Sequence, residues 1–502
     1  MTLTRLAVGG ALFLGALPAS ADIQAEDVWK NYQAQVSSFG GRLEGTVDRS
    51  GRTVVINDQT LSAQFPMGAG SFSLTLPPMT LMEEAGEVAF DYPDAFVLDF
   101  ELVLADVGRS TGRIVFETES FAGVASGEPD SIAYRSRVDR STLGLSEVVW
   151  NGQSPDISGT ITSEPVSVMT RVDTGPMILM SSEIFGGASE FEFSFVDATG
   201  GRTETSGSQG AVRSQSTITL PASGVPWMDI TGALTDGTRF SGTSVIEGSD
   251  TLSQTFLDGT LISEQRNQSK NTKSLFSLNA DGLRLEGESL DILSVLELED
   301  VGIPSIVFEA SKINGALLVP LIAKPDPQKS VVQMGVEGLR LAPPLWAQVD
   351  PGKLLRRDPI DFALDLEADL DWQLNALDWE AWSTIEDPEE LPIDINSITL
   401  TKFVLRALGA EVLAEANALI DLSDFETFDG FPKVEGEATV TMRGIDALIA
   451  QLDRAGIIVE TDFDTAQFGL GMFTREIGPD ERRITAEINS DGHIFANGER
   501  VR

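Results

Sequence analysis

Histidine is the side chain most suited to acid–base or metal chemistry near neutral pH, and this 502-residue chain has one, His493. A Ser-His-Asp triad or a His-ligated metal would rest on that single ring, and its place in a terminal hairpin pattern reads as a strand-face residue instead. The chain has no cysteine, which excludes disulfides and thiolate metal sites. No G-x-S-x-G elbow, P-loop or dinucleotide fingerprint occurs. Ser269, Lys270 and Lys273 hold the ingredients of a Ser-Lys pair, but their polar surroundings keep the amine protonated. Glycoside hydrolysis needs two carboxylates, and with 77 Asp and Glu present abundance removes the signal. Trp372, Trp379 and Trp382 cluster; a sugar platform is one reading, an aromatic cap on a sheet edge the other. The expectation is a chain with no catalytic residue, no metal site and no cofactor.

The acids that do carry a pattern are Asp365, Glu367, Asp369 and Asp371. They lie within Asp361 to Leu374, where Phe362, Leu364, Leu366, Ala368, Leu370, Trp372 and Leu374 occupy every even position. A period of two marks a β-strand with one dry and one wet face, here roughly 45 Å long at about 3.3 Å per residue. Carboxylates two apart on one face repel unless cations face them, so Arg or Lys partners are expected across the ladder. A straight strand cannot wrap calcium as a loop does.

The N-terminus has the pattern of an export signal: Arg5, the apolar run Leu6 to Leu17, and Ala19-Ser20-Ala21 as an A-x-A cleavage site. Cleavage there leaves 34 Lys and Arg against 77 acids, a net charge of −43 in place of −42. Such a field repels nucleic acid and anionic headgroups. No later run is apolar enough to span a bilayer as a helix, so no transmembrane segment is expected after cleavage.

Ala25 to Phe39 places Val28, Trp29, Tyr32, Val36 and Phe39 on one helical stripe, stopped by Gly40-Gly41. From Arg42 the chain reads as β, with alternation at Phe72 to Leu76, Phe96 to Leu104 and Phe191 to Phe195 and turn signals at Pro77-Pro78, Tyr92-Pro93-Asp94, Gly186-Gly187 and Asp236-Gly237. Gly200 to Gly210 fits a linker or a hairpin loop. Strands before about residue 275 read as shorter and richer in Ser and Thr, those after it as longer and richer in Leu. Leu278 to Gly282 and Ile488 to Gly492 match at an offset of 210, a pattern either of duplication or of chance, with Asp-Gly as a hairpin step in both. Gly444 to Gly456 predicts a helix, and Leu405 to Ile420 leans to strand although Ala, Leu and Glu favour helix.

The segment Leu339 to Leu370, with Trp346, Asp350-Pro351, Arg357-Asp358-Pro359 and the long strand behind them, resembles the exported bacterial proteins of the domain-of-unknown-function family 2125 (DUF2125). The ending Ile484 to Arg502, with Asn497-Gly498, and the opening Ala25 to Trp29 are similar as well. The acidic face of the long strand and the Ala-rich Ala410 to Ala418 depart from that pattern. The resemblance implies an exported protein and supplies no catalytic residue, since the family has no established activity. The Asp-Pro pieces read as structural, Asp350-Pro351-Gly352 as a turn and Asp358-Pro359 as a strand start, with Arg356 or Arg357 pairing to a nearby carboxylate.

The expected fold is α+β and predominantly β: elongated antiparallel sheet with long amphipathic strands and a few packing helices. The expected organisation is a signal peptide at 1–21, an N-terminal β-rich half at 22–275 and a C-terminal long-stranded half at 276–502. The expected function is that of a periplasmic cell-envelope binding or accessory protein. It would present the apolar strand face Phe362, Leu364, Leu366, Leu370 and Trp372 to a lipid-like or hydrophobic ligand, with an envelope protein as a further partner and no nucleic acid. The alternatives are a structural or interaction protein with no small ligand, and a carboxylate-based envelope hydrolase.

Overall fold

The computed structural model describes residues 23–501 except 198, 300–304, 384, 386–391, 429 and 459; the export-signal pattern at 1–21 lies outside the described residues. Helix α1 (Ala25–Ser38) forms as its stripe dictates, with the backbone amide of Gln24 donating to Asp27 in a capping box and Gly40 ending it at φ +81°.

β1 (Gly41–Ser50) and β2 (Thr53–Phe65) make the first hairpin. The chain then meanders as long strands, each interrupted once: β3 (Gly70–Leu76) continues into β4 (Met79–Glu84), β5 (Glu87–Asp91) into β6 (Ala95–Leu104), β7 (Gly108–Glu119) into β8 (Ala122–Glu128) and β9 (Ser131–Val138) into β10 (Arg140–Trp150). In the same way β11 (Ile157–Ser163) continues into β12 (Val166–Asp173), β13 (Met177–Gly186) into β14 (Ser189–Val196) and β15 (Arg202–Gln209) into β16 (Val212–Pro221). After α2 (Ile230–Thr235), β17 (Arg239–Ile246) continues into β18 (Ser249–Leu257) and β19 (Thr260–Ser269) into β20 (Asn271–Asn279). β21 (Gly282–Leu298), β22 (Ile306–Val319) and β23 (Gln328–Leu341) run through in one piece, followed by α3 (Pro343–Val349), β24 (Ile360–Trp372), α4 (Trp379–Trp382), β25 (Ile393–Ala407), β26 (Ala410–Asp421) and β27 (Lys433–Arg443). The chain ends with α5 (Ile445–Arg454), α6 (Glu460–Phe473), β28 (Arg475–Gly478), β29 (Glu481–Ile488), β30 (Ile494–Ala496) and β31 (Glu499–Arg500).

The interruptions split the meander into two antiparallel ladders. One runs β2, β4, β5, β8, β9, β12, β13, β16, β17, β20, β21 and the other β2, β3, β6, β7, β10, β11, β14, β15, β18, β19, β21. Because β2 and β21 pair with both, the hydrogen bonds close a 20-strand antiparallel barrel, with β1 and β22 onward outside it. The fold is therefore α+β and predominantly β, as the alternation implied.

Most interruptions act as β-bulges: side-chain alternation slips by one residue, so the same face continues on both sides of the bend. In β21 the inserted residue is Asp291 at φ +50°, with Ser289 and Ile292 flanking it on one face. The face that carries α1 holds the buried core: Val54, Ile56, Met79, Leu81, Val88, Ile132, Val172, Ile178 and Leu220 pack with Val28, Trp29 and Leu234 from α1 and α2. Tyr32 and Tyr134 stack there with ring centres 5.1 Å apart.

Two expectations change in detail. Residues 200–210 are mostly strand β15, its Thr203, Thr205 and Gly207 paired with β14 and β18; at Gly207 a side chain would run into the Phe191 ring of β14. Leu405 to Ile420 is strand, but broken by a turn at Leu408 (φ +55°) and Gly409 (φ +84°) into β25 and β26. The compositional division at 275/276 falls inside β20, and hydrogen bonding runs through it unbroken. Helix α5 spans Ile445–Arg454 and Gly456 ends it at φ +67°, as expected.

Candidate functional site: an uncharged sheet face

Asp361 to Trp372 lies within β24, the last two positions of the expected strand, Gln373 and Leu374, falling in a bend after it, and the strand stands in the middle of a row of in-register apolar residues. Met334, Leu364, Phe403, Ala414, Val440 and Ile484 lie directly opposite one another across β23, β24, β25, β26, β27 and β29. Val336, Phe362, Leu405 and Val412 make the next row, and Val332, Leu366, Leu400, Ala416 and Ala438 the row on the other side. Phe362 and Phe403 meet edge to face at 5.9 Å. The predicted site residues are thus brought together on the α1 side of the sheet, but they differ in environment. Leu370 is buried, whereas Phe362, Leu364, Leu366 and Trp372 are half-buried. The indole Nε1 of Trp372 is shielded from solvent without a hydrogen-bond partner.

What covers this face is limited. The contiguous buried core draws on residues 23–234, with β24 outside it. Along the same face Phe276 (41 % exposed), Leu285 (38 %), Ile313 (37 %), Met334 (52 %) and Leu405 (36 %) surround the β24 residues on neighbouring strands. Sequence reading missed this patch. Each strand's alternation is visible in Val332, Met334 and Val336, but which strands stand side by side is not.

Charge is sorted between the two faces. Among the described residues, every Arg, Lys, Asp and Glu inside β5 to β27 either points to the side away from α1 or sits at a bend. The acidic row of β24 lies there with cations across the ladder for three of its four members: Lys329 meets Glu367 at 2.7 Å and stands opposite Asp369, which also accepts from the Ser397 hydroxyl at 2.6 Å, and Lys402 stands opposite Asp365, whereas Asp371 stands opposite Asp394. Glu367 holds the Lys329 ammonium above its ordinary range. A register line of alternating sign crosses five strands: Asp361, Arg406, Glu411, Arg443, Glu481, at successive distances of 3.7, 2.7, 2.7 and 3.0 Å. Arg406, with Arg443, keeps the Glu411 carboxyl below its usual range against the opposing effect of burial.

Between the N-terminal core and the β24 patch, the α1-side face carries hydroxyls and amides. Ser141, Ser163, Ser189, Gln209, Ser249 and Ser269 stand in one register row across six strands. The row continues through hydroxyl contacts of Ser249 with Ser269 (2.8 Å), Ser269 with Thr272 (3.3 Å) and Thr272 with Ser289 (3.1 Å).

The other sequence candidates separate. Ser269 belongs to that hydroxyl row, while Lys270 and Lys273 pair with Asp291 and Glu288 at 3.2 and 3.5 Å, so no Ser-Lys pair forms. The backbone amide of His493 donates to the Asn489 side chain in the loop after β29. Trp382 donates from Nε1 to the Asn375 carbonyl at 3.1 Å. Among the described residues no group of three or more Asp, Glu or His is placed to hold a metal ion. The Asp-Pro segment is a structural knot: Asp350, 1 % exposed, accepts from the amides of Leu354 (2.9 Å) and Leu355 (3.0 Å). Arg357 reaches it at 3.6 Å while stacking over Trp346 at 5.3 Å, and Arg356 pairs with Asp358 at 2.7 Å.

No protein-family model, curated protein or solved structure matches the chain. Among the described residues no helix is long and apolar enough to cross a membrane.

Proposed function

We propose that this is an exported accessory protein of the bacterial cell envelope, acting in the periplasm, that holds a lipid-like hydrophobic molecule on the α1-side face of β20 to β25. The observation that carries this reading is the partly open patch of Phe276, Leu285, Ile313, Met334 and Leu405 around the β24 face. Contiguous apolar surface of this kind is costly to leave in water and marks interaction sites. Phe362, Leu364 and Leu366 form its floor, and Leu370 and Trp372 its end toward α2. The leader pattern at 1–21 and the resemblance to family 2125 support the envelope setting. The far face, with its paired charges, suits a soluble or envelope-protein partner better than nucleic acid.

The test is to isolate the protein from the periplasm of a cell that exports it and to analyse bound small molecules by native mass spectrometry and lipid extraction. Acyl-chain species should co-purify in near-stoichiometric amount and fall sharply in Met334→Glu and Leu364→Glu proteins that keep the β spectrum in circular dichroism. A protein recovered empty, and unable to take up an acyl probe, would leave only the structural or interaction role.

A further inference from the structure

Resting on that reading, we infer that the bound molecule is an amphiphile with an uncharged, hydroxyl-rich headgroup, of the glycolipid or acylglycerol class, and that the headgroup lies on the Ser/Thr belt beside the apolar patch. The two surfaces share one face and meet along β20 and β21. Phe276 and Ser274 are two residues apart on the same side of β20, and in-register pairing places Leu285 opposite Phe276 and Ile313 opposite Ser289. A tail lying over Phe276, Leu285 and Met334 would carry its head toward Thr272, Ser274 and Ser289, with the exposed Gln265 and Asn267 on the adjoining strand. Side chains two apart on a strand face are about 7 Å apart, the scale of one sugar ring.

The headgroup class follows from what the belt offers. Hydroxyls and carboxamides both donate and accept, as sugar and glycerol hydroxyls do. An anionic phosphate placed there would need a cation or an oriented row of amides to offset its desolvation. Among the described residues the strand positions on this side of β5 to β27 hold no Lys or Arg, Lys270 at the bend beside Ser269 is paired with Asp291 at 3.2 Å, and the chain as a whole carries −42. A cationic head would lack a carboxylate on the same face. An uncharged polyol meets neither penalty.

The experiment is isothermal titration of the purified full-length exported protein with n-dodecyl β-maltoside and with n-dodecyl phosphate, each below its micelle concentration. Ionic strength is set at about 0.5 M so that the protein's overall field is screened. The maltoside should bind at least about tenfold more tightly than the phosphate of the same chain length. The Ser274→Lys protein should reverse or abolish that preference; Gly287, opposite Ser274, leaves the space a lysine needs. Equal binding of both probes, or tighter binding of the phosphate, would overturn the headgroup inference and leave the hydrophobic-ligand reading standing. Failure of both probes to bind the unmodified protein would overturn the reading itself.

Discussion

Asp350 shows how one side chain can fix a segment. Burial alone would push its carboxyl up, but the amides of Leu354 and Leu355 and the Arg357 guanidinium outweigh it and hold it below the usual carboxylate range. A carboxyl with a lowered folded pKa stabilises the fold above its ordinary pKa, and that contribution disappears as pH falls through the folded value. Asp350→Asn should therefore lower the urea midpoint at pH 7 and lose less than the parent protein on acidification below pH ~4. Parallel acid limbs for the two proteins would show that the charge is not what Leu354 and Leu355 require. A second residue-scale contrast tests how covered the β24 face is. Ile56, fully buried under α1, should cost about 2–5 kcal/mol as Ile56→Ala. Leu364→Ala, on the half-buried face, should cost about 1 kcal/mol, because part of its surface already meets water. Denaturant titration separates the two; equal losses would mean the face is closed in solution.

At the scale of elements, β24, β26 and β27 were legible in the sequence because each carries one uninterrupted period. In β24 every even position is apolar, and in β26 and β27 alternation alone decides against the helix propensity of Ala, Leu and Glu. The N-terminal strands looked short and weak for a physical reason: each is half of a longer strand whose period slips by one at a bulge. A window that spans Ser269 to Thr272 or Ser289 to Ile292 sees no single period. The candidate face was legible as far as β24 itself; its neighbours Phe276, Leu285 and Met334 were not, because pairing between strands far apart in sequence leaves no local signal. Helix α3 was not read from the sequence; Pro343-Pro344 occupies its first positions, where a missing N–H and a fixed φ are tolerated. Asp291 at φ +50° is there as an inserted residue, so Asp291→Gly should change stability by no more than about 1 kcal/mol in either direction. Inserting one further residue after Asp291 instead moves Ile292, Ser294 and Leu296 to the charged side and should prevent soluble folding. An insertion protein with an unaltered melting profile would show that the interruption is a surface irregularity and not a register device.

Across the whole molecule, the sheet separates its chemistry by side: carbon and hydroxyl toward α1, ionic groups away from it. An excess of 77 acids over 35 bases then lies mostly on one surface, where like charges repel over about a Debye length. Cross-strand pairs answer this locally, and the line from Asp361 through Arg406, Glu411 and Arg443 to Glu481 does so across five strands. The two effects respond to salt in opposite ways. Screening relieves repulsion between unpaired acids and weakens each ion pair, and exposed pairs contribute only about 0–1 kcal/mol each. The repulsive sum should dominate, so the melting temperature of the intact protein should rise between about 20 mM and 200 mM NaCl. Glu411 is the central acid of the line, its side chain 18 % exposed between two guanidiniums, so Glu411→Gln removes a negative charge where negative charge stabilises. It should lower stability by about 1 kcal/mol at low salt and by less at about 0.5 M. A Glu411→Gln protein that melts higher than the parent at low salt would mean the overall field outweighs the line even at its centre. The alternating register would then be a by-product of sorting charge to one side and not a device that holds β24 to β29 together.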